Sequence, residues 1–449
     1  MTASDAESSA GSPAEFDGLP AVLTVVTDLA EAFIAAGHRL YLVGGVVRDL
    51  ALGAHDAGHD IDLTTEAEPA VTKRLVKPRA TALWTQGERF GTIGATVNGR
   101  DLEITTHRAE AYDHDSRNPV VAYGTSIDDD LCRRDFTINA TAVSVPDGAL
   151  VDPFDGLGDL ERRRLVTPLS PEESFADDPL RILRAARFIP RFDLTVDPDL
   201  ERAATDGAER LSIVSVERIQ GELERLLALP APAAGLDFLL RTGVLGHAVL
   251  AFGATAPAGA SLGAEGVAVA STAATAPARR AGLLLGLGVD TATDELHRLR
   301  YSRADTTATR ALIAHHSTAV DPAPSAADVR RVAERLGAAG LGVLDDLRAL
   351  TAATHPGADL AFWARHDELA ATEDLDDWTV PVSGRHIIEH LGLTPGPAVG
   401  KATNHLRELR FEHGPLTEAQ ALAALDAWVD ETDVTDENAA RQERSGPKG

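Results

Sequence analysis

Residues 42–49 read Leu-Val-Gly-Gly-Val-Val-Arg-Asp, and residues 58–63 read Gly-His-Asp-Ile-Asp-Leu. The apolar residues that lead into the glycines predict a short buried strand over 39–43. The glycines would let a phosphate approach the backbone, because no Cβ atom stands in its way. Arg48, at the start of the next helix, can hold phosphate oxygens with both arms of its guanidinium. The stretch therefore predicts a phosphate site, although it matches neither the Walker nor the dinucleotide pattern.

Asp60 and Asp62 form the second feature of this region. Residues two apart on a strand face the same side, so both carboxylates would point in one direction. Two hard carboxylates suit Mg²⁺, which also takes substrate phosphate oxygens, and paired magnesium ions can activate a hydroxyl and stabilise a leaving pyrophosphate. An isolated Asp-x-Asp in an acidic protein is usually a solvated strand edge. Its place shortly after residues 44–49 favours a magnesium site.

The composition limits the class of protein. A length of 449 residues suggests two to four domains, and an apolar fraction of 44% excludes a wholly disordered chain. The sequence has no apolar run long enough to predict a membrane span, and its first residues do not resemble a secretory signal. The single cysteine, Cys132, excludes an intrachain disulfide and a cysteine zinc cage. We therefore expect a cytoplasmic protein that does not bind membranes.

The charge balance restricts how the protein could bind nucleic acid. There are 69 acidic against 42 basic residues, a formal net charge of −27. Proteins that bind polyanions over their whole surface are normally basic. Any nucleic acid would therefore have to be bound by a local basic patch.

The order of secondary-structure signals predicts an α+β fold, with a mixed head followed by helices. Asn98-Gly99 lies between two β-rich runs and predicts a hairpin. Helical spacing covers residues 22–36, 178–188 and 216–227, whereas the Ala/Gly/Ser/Thr-rich residues 251–278 predict a loose loop or linker. The predicted segments are a disordered acidic tail (1–18), a head (19–156), a helical neck (157–230), a helical body (231–380), a helical tail (381–429) and a disordered tail (430–449).

These motifs resemble those of the class II tRNA nucleotidyltransferases, which include the bacterial CCA-adding enzymes and poly(A) polymerases. The resemblance covers about residues 39–227 and implies a polymerase-β-like nucleotidyltransferase head, a small sheet with helices, followed by an all-helical neck, body and tail. Beyond the two stretches already quoted, it is carried by Gly91-Thr92-Ile93 with Glu103-Ile104-Thr105-Thr106, and by residues 133–140, 152–165, 175–188 and 215–223.

Three arginines, called the arginine stripe here, follow Asp178 in the motif at residues 175–188. Arg181, Arg184 and Arg187 recur every three residues, so on a helix they would share one slowly drifting face. By itself such a stripe is often an exposed face with internal ion pairs. A carboxylate can also accept from the exocyclic amine of cytosine or adenine while a guanidinium donates to the ring. The resemblance implies this second role for Asp178 and Arg181, with Arg184 and Arg187 supporting the nucleotide.

The resemblance also implies the remaining roles and the reaction. Asp60 and Asp62 would be catalytic and hold Mg²⁺, Gly45 and Arg48 would receive the triphosphate, and Arg134 would contact the nucleotide. The implied enzyme is a CCA tRNA nucleotidyltransferase, whose partners are tRNA, CTP and ATP. It adds C, C and A to the tRNA 3′ end without a template, as the RNA 3′-hydroxyl attacks the nucleotide α-phosphate.

The second half of the chain is less informative. Many relatives carry a histidine–aspartate metal dyad where this chain has residues 282–290, which lack that pair, so we expect a degenerate HD-like body without metal chemistry. Lys401, Arg407 and Arg410 could contact an RNA backbone or could form a solvated helix face.

Three other functions stay open from the sequence. One is a poly(A) polymerase, or a partial CC- or A-adding enzyme, which would share the same head. Another is a metal-dependent phosphohydrolase, which the missing histidine–aspartate ligands disfavour. The third is a non-catalytic RNA-binding protein, against which the Asp60–Asp62 pair argues.

Overall fold

A computed structural model describes residues 14–54, 60–109, 122–124, 126–253, 258–340 and 342–432. The chain divides into two compact units, the first ending at residue 256 and the second beginning at residue 257. Among the described residues, no helix has the length and apolar character of a membrane span.

The first unit combines strands with helices. Its strands are β1 Leu40–Val43, β2 Asp60–Thr65, β3 Ala82–Trp84, β4 Thr92–Val97, β5 Arg100–Thr106, β6 Arg108–Ala109, β7 Ala122–Tyr123, β8 Ala142–Val145, β9 Leu150–Val151, β10 Arg164–Leu165 and β11 Thr195–Val196. Its helices are α1 Leu19–Ala35, α2 Gly45–Ala51, α3 Pro69–Val76, α4 Ile127–Cys132, α5 Gly156–Glu161, α6 Pro171–Asp177, α7 Leu180–Phe192, α8 Pro198–Gly207, α9 Val216–Leu227, α10 Ala233–Arg241, α11 Val244–Ala248 and α12 Leu250–Gly253. Short 3₁₀ helices cover Glu88–Phe90, Thr137–Asn139 and Ala208–Ile213.

The second unit is helical in its described part. Its helices are α13 Ala258–Thr272, α14 Ala276–Leu284, α15 Gly288–Arg298, α16 Arg303–Ala319, α17 Ala326–Ala339, α18 Val343–Thr354, α19 Ala361–Ala370, α20 Gly384–Leu391, α21 Pro397–His413 and α22 Glu418–Thr432, with a 3₁₀ turn at Leu285–Leu287. The expected fold class, an α+β head followed by helices, is therefore confirmed.

One mixed sheet forms the centre of the head, in the strand order β3-β4-β5-β2-β1-β8-β9. The β2 and β5 strands run parallel, whereas β1 is antiparallel to both β2 and β8. One face of the sheet is covered by α1 and α3, where Phe33, Leu42 and Leu63 join one apolar core. Full burial of each such side chain stabilises the fold by about 1.5–3 kcal/mol. The other face carries the polar residues of β2 and β5.

Several local predictions are confirmed. The strand that leads into the glycines is β1, and Asp60 and Asp62 lie on β2. Asn98 and Gly99 connect β4 to β5 with φ values of 50° and 76°, as a tight hairpin requires. The 216–227 helix has the predicted bounds, although Ser215 makes no side-chain cap.

Three boundaries differ from the sequence predictions. The stripe helix α7 begins at Leu180, because Asp178 is extended and Pro179 precedes the first turn. The first disordered tail was predicted to reach residue 18, but Ala14 N donates to Gly148 O at 2.9 Å and Phe16 packs on the head core. The last helix extends to Thr432, past the predicted boundary at 429. Residues 1–13 and 433–449 lie outside the described residues.

The prediction of a loose linker over 251–278 is wrong for most of that segment, since α13 covers Ala258–Thr272 and α14 starts at Ala276. The small residues serve close helix packing. A Cβ built on Gly266 would lie 2.2 Å from the Leu283 carbonyl oxygen, and one on Gly282 would lie 2.5 Å from a Val269 methyl. Without side chains at these glycines, the two helix backbones can approach.

Two of the three basic residues predicted on α21, Arg407 and Arg410, are paired with carboxylates. Arg410 is 4% exposed and binds Glu373 at 2.6 Å. Arg407 is paired with Glu334. A second buried arginine, Arg330, contacts Glu373 from α17 at 2.8 Å. The carboxylates of neighbouring segments therefore occupy these two predicted RNA ligands.

Candidate active site

The polar face of the sheet brings the predicted catalytic strand beside the glycine turn. In the register of β1 with β2, Leu42 pairs with Leu63, so the turn at Gly44 begins next to Asp62. In the parallel register of β2 with β5, Asp62 pairs with Glu103. Both side chains are exposed on the same face. The structure describes the backbone of Asp60, two residues away on β2, but not its side chain.

Trp84 lies on the same face of the sheet, two strands beyond Glu103 toward the sheet edge. Glu103 pairs with Gly94 and Gly94 pairs with Trp84, so these residues share the face of Asp62. A Cβ on Gly94 would lie 1.9 Å from the indole Nε1 of Trp84. The indole therefore lies across the position where residue 94 has no side chain.

The glycine turn has the backbone geometry that the sequence predicts. Gly44 has φ 74° and ψ −126°, a conformation that L residues rarely adopt. Gly45 opens α2. Arg134 lies against the turn, since a Cβ on Gly44 would be 2.8 Å from its Nη1. Arg134 also donates to Asp130 at 3.1 Å, and its Nε has no hydrogen-bond partner among the described residues.

Arg48 is buried beneath the glycine turn, with 4% of its surface exposed. Its Nε and Nη2 donate to one oxygen of Asp49 at 2.8 and 2.7 Å, and its Nη1 donates to Oδ1 of Asn139. The guanidinium lies 4.4 Å from the ring centroid of Phe192 and 5.8 Å from that of Phe188, both on α7. The predicted phosphate ligand is thus held by groups on three elements.

The predicted base-reading pair is close in sequence, but its members bind different partners. Asp178 accepts from Leu180 N at 3.1 Å and from Arg218 at 2.8 Å. Arg181 is 8% exposed and donates to the carbonyl oxygen of Arg133 at 2.5 Å and to Ser174 Oγ at 2.8 Å. The Asp178 carboxylate, 27% exposed, is the more accessible of the two.

Arg184 joins α7 to the 133–140 segment. Its Nε donates to Oδ2 of Asp135 at 2.7 Å, and Oδ1 of Asp135 accepts from Asn139 Nδ2 and from Phe136 N, both at 2.9 Å. Burial by itself would raise the pKa of the Asp135 carboxyl, but Arg184 and these hydrogen bonds hold that pKa below its ordinary value. Asp135 is therefore ionised, and both of its carboxylate oxygens accept hydrogen bonds from this segment and from α7.

Arg187, the last member of the stripe, is buried in an ion pair. It donates to Glu222 on α9 at 2.7 Å, and the same carboxylate accepts from Arg225 at 2.8 Å. Glu222 is 2% exposed. Arg187 therefore fixes α7 against α9, in addition to any support it gives the nucleotide.

Sequence reasoning assigned no role to four groups at this site. Glu103 and Asn139 were quoted within motifs, and Phe192 and Glu222 were not connected to the arginines. The pattern Leu-Glu-Ile over residues 102–104 places an acid between two apolar strand residues. This alternation indicates that Glu103 lies on the polar face of the sheet. The partners of the arginines needed three-dimensional contacts.

The donors on the open face fit a hard divalent cation, since Asp62 and Glu103 present carboxylate oxygens and no sulfur or imidazole. Among the described residues, no group of three or more acidic, histidine or cysteine side chains is placed to hold a metal. The Asp60 side chain is not among the groups that the structure describes. The predicted magnesium ligands therefore stay a prediction.

Comparison with known families matches two parts of the first unit. The family described as the poly A polymerase head domain matches residues 40–166. The family described as a probable RNA and SrmB-binding site of polymerase A matches residues 193–250.

Curated relatives match about half of the chain. The CCA-adding enzyme of Lactobacillus johnsonii is 38% identical over 231 residues, which is 51% of this chain and 56% of that protein. The CCA-adding enzyme of Lactiplantibacillus plantarum is 40% identical over 225 residues, 50% of this chain and 54% of that protein. The chain thus spans about half the length of the curated relatives that it matches.

Solved structures are similar over nearly the whole chain. The crystal structure of the Bacillus stearothermophilus CCA-adding enzyme in complex with CTP has a TM-score of 0.72 and 26% identity, covering 92% of this chain and 98% of that one. The Thermotoga maritima CCA-adding enzyme complexed with tRNA has a TM-score of 0.63 at 22% identity, covering 91% and 96%. The second likeness is one of fold.

Proposed function

We propose that the head and neck of this chain belong to the tRNA nucleotidyltransferase and poly(A) polymerase family, and that the chain adds C, C and A to the 3′ end of tRNA. The observation that carries the proposal is the juxtaposition of Asp62, Glu103 and the glycine turn on one open sheet face. Carboxylates beside a backbone that admits phosphate are what nucleotidyl transfer requires. We expect the reaction to take place in the cytoplasm.

In the proposed reaction, the tRNA 3′-hydroxyl attacks the α-phosphate of CTP or ATP. A new phosphorus–oxygen bond forms, and the bond to pyrophosphate breaks. Asp60 and Asp62 would hold Mg²⁺, with Glu103 beside them, and the bound ion would offset negative charge on the phosphates. Gly45 leaves room for the triphosphate.

The arginines would place the nucleotide. Arg134 lies close to Gly44 and Arg48 lies close to Gly45, where their charges would attract the triphosphate. Arg181, Arg184 and Arg187 hold α7 through the contacts described above, and this would keep Asp178 in place to meet the base. The exposed edge of Asp178 could accept from the exocyclic amine that CTP and ATP share.

The deciding experiment is nucleotide incorporation into tRNA that lacks its 3′ CCA, with each nucleotide supplied singly and in combination. We expect the defined extension C-C-A from CTP with ATP, and none from UTP or GTP. Long adenosine tracts would instead identify a poly(A) polymerase, which the name of the matching head family also fits. Addition of C alone or A alone would identify a partial enzyme.

A matched pair of variants tests the catalytic carboxylate. Asp62→Asn keeps the shape of the exposed side chain but removes its charge, so we expect kcat to fall by about a thousandfold or more while the Tm is unchanged. Asp147→Asn, at an exposed turn, should leave kcat unchanged. Full activity of the Asp62 variant would favour a non-catalytic RNA-binding role.

A further inference from the structure

A buried polar chain links the two ends of the proposed nucleotide site. Asn139 Oδ1 accepts from Nη1 of Arg48, and Asn139 Nδ2 donates to Asp135 Oδ1 at 2.9 Å. The other oxygen of Asp135 accepts from Arg184 on α7 at 2.7 Å. Asn139 and Asp135 are 6% and 8% exposed. The contacts therefore lie inside the protein, where losing one is costly.

The position between Arg48 and Asp135 requires a side chain that can both accept and donate a hydrogen bond. The guanidinium of Arg48 can only donate, and the ionised carboxylate of Asp135 can only accept. A side chain that bridges them must accept on one side and donate on the other. Asn139 meets both requirements, and its place in the 3₁₀ helix Thr137–Asn139 gives it a buried, fixed backbone.

The orientation of the Arg48 guanidinium depends on its hydrogen bond to Asn139. Three of its five N–H groups donate to Asp49 and Asn139, and the ring of Phe192 lies against the guanidinium. The Asp49 side chain is 40% exposed, so its contact is the more easily replaced by water. Asn139 is the buried acceptor that sets which way the remaining N–H groups point.

We propose that Asn139 is a positioning residue that fixes the Arg48 guanidinium and, through Asp135 and Arg184, aligns the triphosphate site with the base-reading helix α7. The inference rests on the proposed function, because it assigns Arg48 to the triphosphate. It extends that function by making phosphate binding depend on a residue that itself contacts no substrate.

The first test is Asn139→Ala, assayed for CTP and ATP in single-nucleotide addition. Loss of the two hydrogen bonds, to Arg48 and to Asp135, should raise the KM for both nucleotides by about tenfold, with kcat changed less than about threefold. The equilibrium Kd for CTP, measured without tRNA, should rise in parallel. An unchanged Kd for CTP in a folded variant would overturn the proposal.

A double-mutant cycle tests whether Asn139 acts through Arg48. Arg48→Lys keeps the charge but loses the planar fork, so adding Asn139→Ala should reduce kcat/KM by less than about twofold further. The matched control is Thr137→Val in the same 3₁₀ helix, whose hydroxyl donates to Asp159 at 2.8 Å. That variant should lower the Tm, leave the KM for CTP unchanged, and combine additively with Arg48→Lys. Additive losses for Asn139→Ala as well would refute a role through Arg48.

Asn139→Asp keeps the test decisive if the alanine variant does not fold. It is isosteric and preserves an acceptor for Arg48, but it sets a carboxylate against Asp135. Because the acceptor for Arg48 is kept, the KM for CTP should stay within about threefold of the wild-type value, and a rise of about tenfold or more contradicts the inference. Wild-type protein is assayed in parallel: if it adds no nucleotide, the proposed function fails, whereas active wild type with additive variants refutes the positioning role alone.

Discussion

Asp178 offers the most direct test of base selection at the scale of a single residue. In Asp178→Asn, an amide N–H₂ can donate to the carbonyl that uracil carries where cytosine has its amine. We expect the preference for CTP over UTP to fall by about tenfold to a hundredfold, as measured by the ratio of kcat/KM values on tRNA lacking CCA. Such a change corresponds to about 1–3 kcal/mol of discrimination.

The control for that variant is Arg218→Gln. It removes the ionic partner of Asp178, 2.8 Å away, without altering the carboxylate. Because the pair is partly exposed, its loss should cost less than about 1 kcal/mol of stability, and the preference for CTP should persist. If Arg218→Gln relaxed the preference as much as Asp178→Asn, base selection would depend on the ion pair and not on the acceptor.

His107 connects a single residue to the pH dependence of folding. It is 1% exposed, and neither ring nitrogen has a hydrogen-bond partner among the described residues. Burial lowers the pKa of His107 below its ordinary 6.5, although Asp130 opposes the shift. The folded state therefore binds this proton less readily than the unfolded state. Its contribution to stability is complete above about pH 6.5 and is lost as the pH falls through the folded-state pKa.

The corresponding experiment follows the free energy of unfolding from pH 8 to pH 5 in denaturant titrations. The wild type should lose stability across the acidic part of this range, and His107→Asn should show a shallower slope. Identical slopes would mean that His107 does not titrate differently in the two states.

At the scale of the elements, the packing of α13 against α14 predicts opposite effects for two glycine substitutions in the same unit. Gly266→Ala would place a methyl 2.2 Å from the Leu283 carbonyl oxygen and should destabilise the protein by about 1–3 kcal/mol. Gly337→Ala, on α17 with nothing within 4 Å of the new methyl, should stabilise it by about 0.5–1 kcal/mol. Thermal or chemical unfolding measures both, and destabilisation by neither or by both would contradict the packing described.

The elements that the sequence predicted are those with local signals. The hairpin at Asn98-Gly99 and the strand before Gly44 follow from turn chemistry and short apolar runs. Residues 258–272 were missed because Ala and Gly give the same composition in a flexible linker and in a tightly packed helix. The ion-pair partners of an arginine likewise cannot be predicted from the neighbouring sequence. The stripe on α7 was found by its spacing, but its burial against Asp135 and Glu222 comes from elements about 50 residues earlier and 35 residues later.

At the scale of the whole molecule, the net charge of −27 bears on how the protein would bind RNA. Arg407 and Arg410 of α21 are paired to carboxylates within the protein, so phosphate contacts by these two residues would have to compete with those ion pairs. Raising the salt concentration from 50 to 200 mM should weaken the binding of truncated tRNA by about tenfold to fiftyfold, as expected for two or three phosphate contacts. Filter binding or fluorescence anisotropy measures this Kd. An affinity that does not depend on salt would exclude phosphate contacts as its source.

Trp84 restricts which residues the protein can carry at position 94. The indole occupies the volume that any side chain at position 94 would need, so residue 94 cannot gain a side chain while Trp84 stays. A homologue with a methyl or larger group at position 94 should have a slimmer residue at position 84. Exchanging both together should be tolerated better than exchanging either alone.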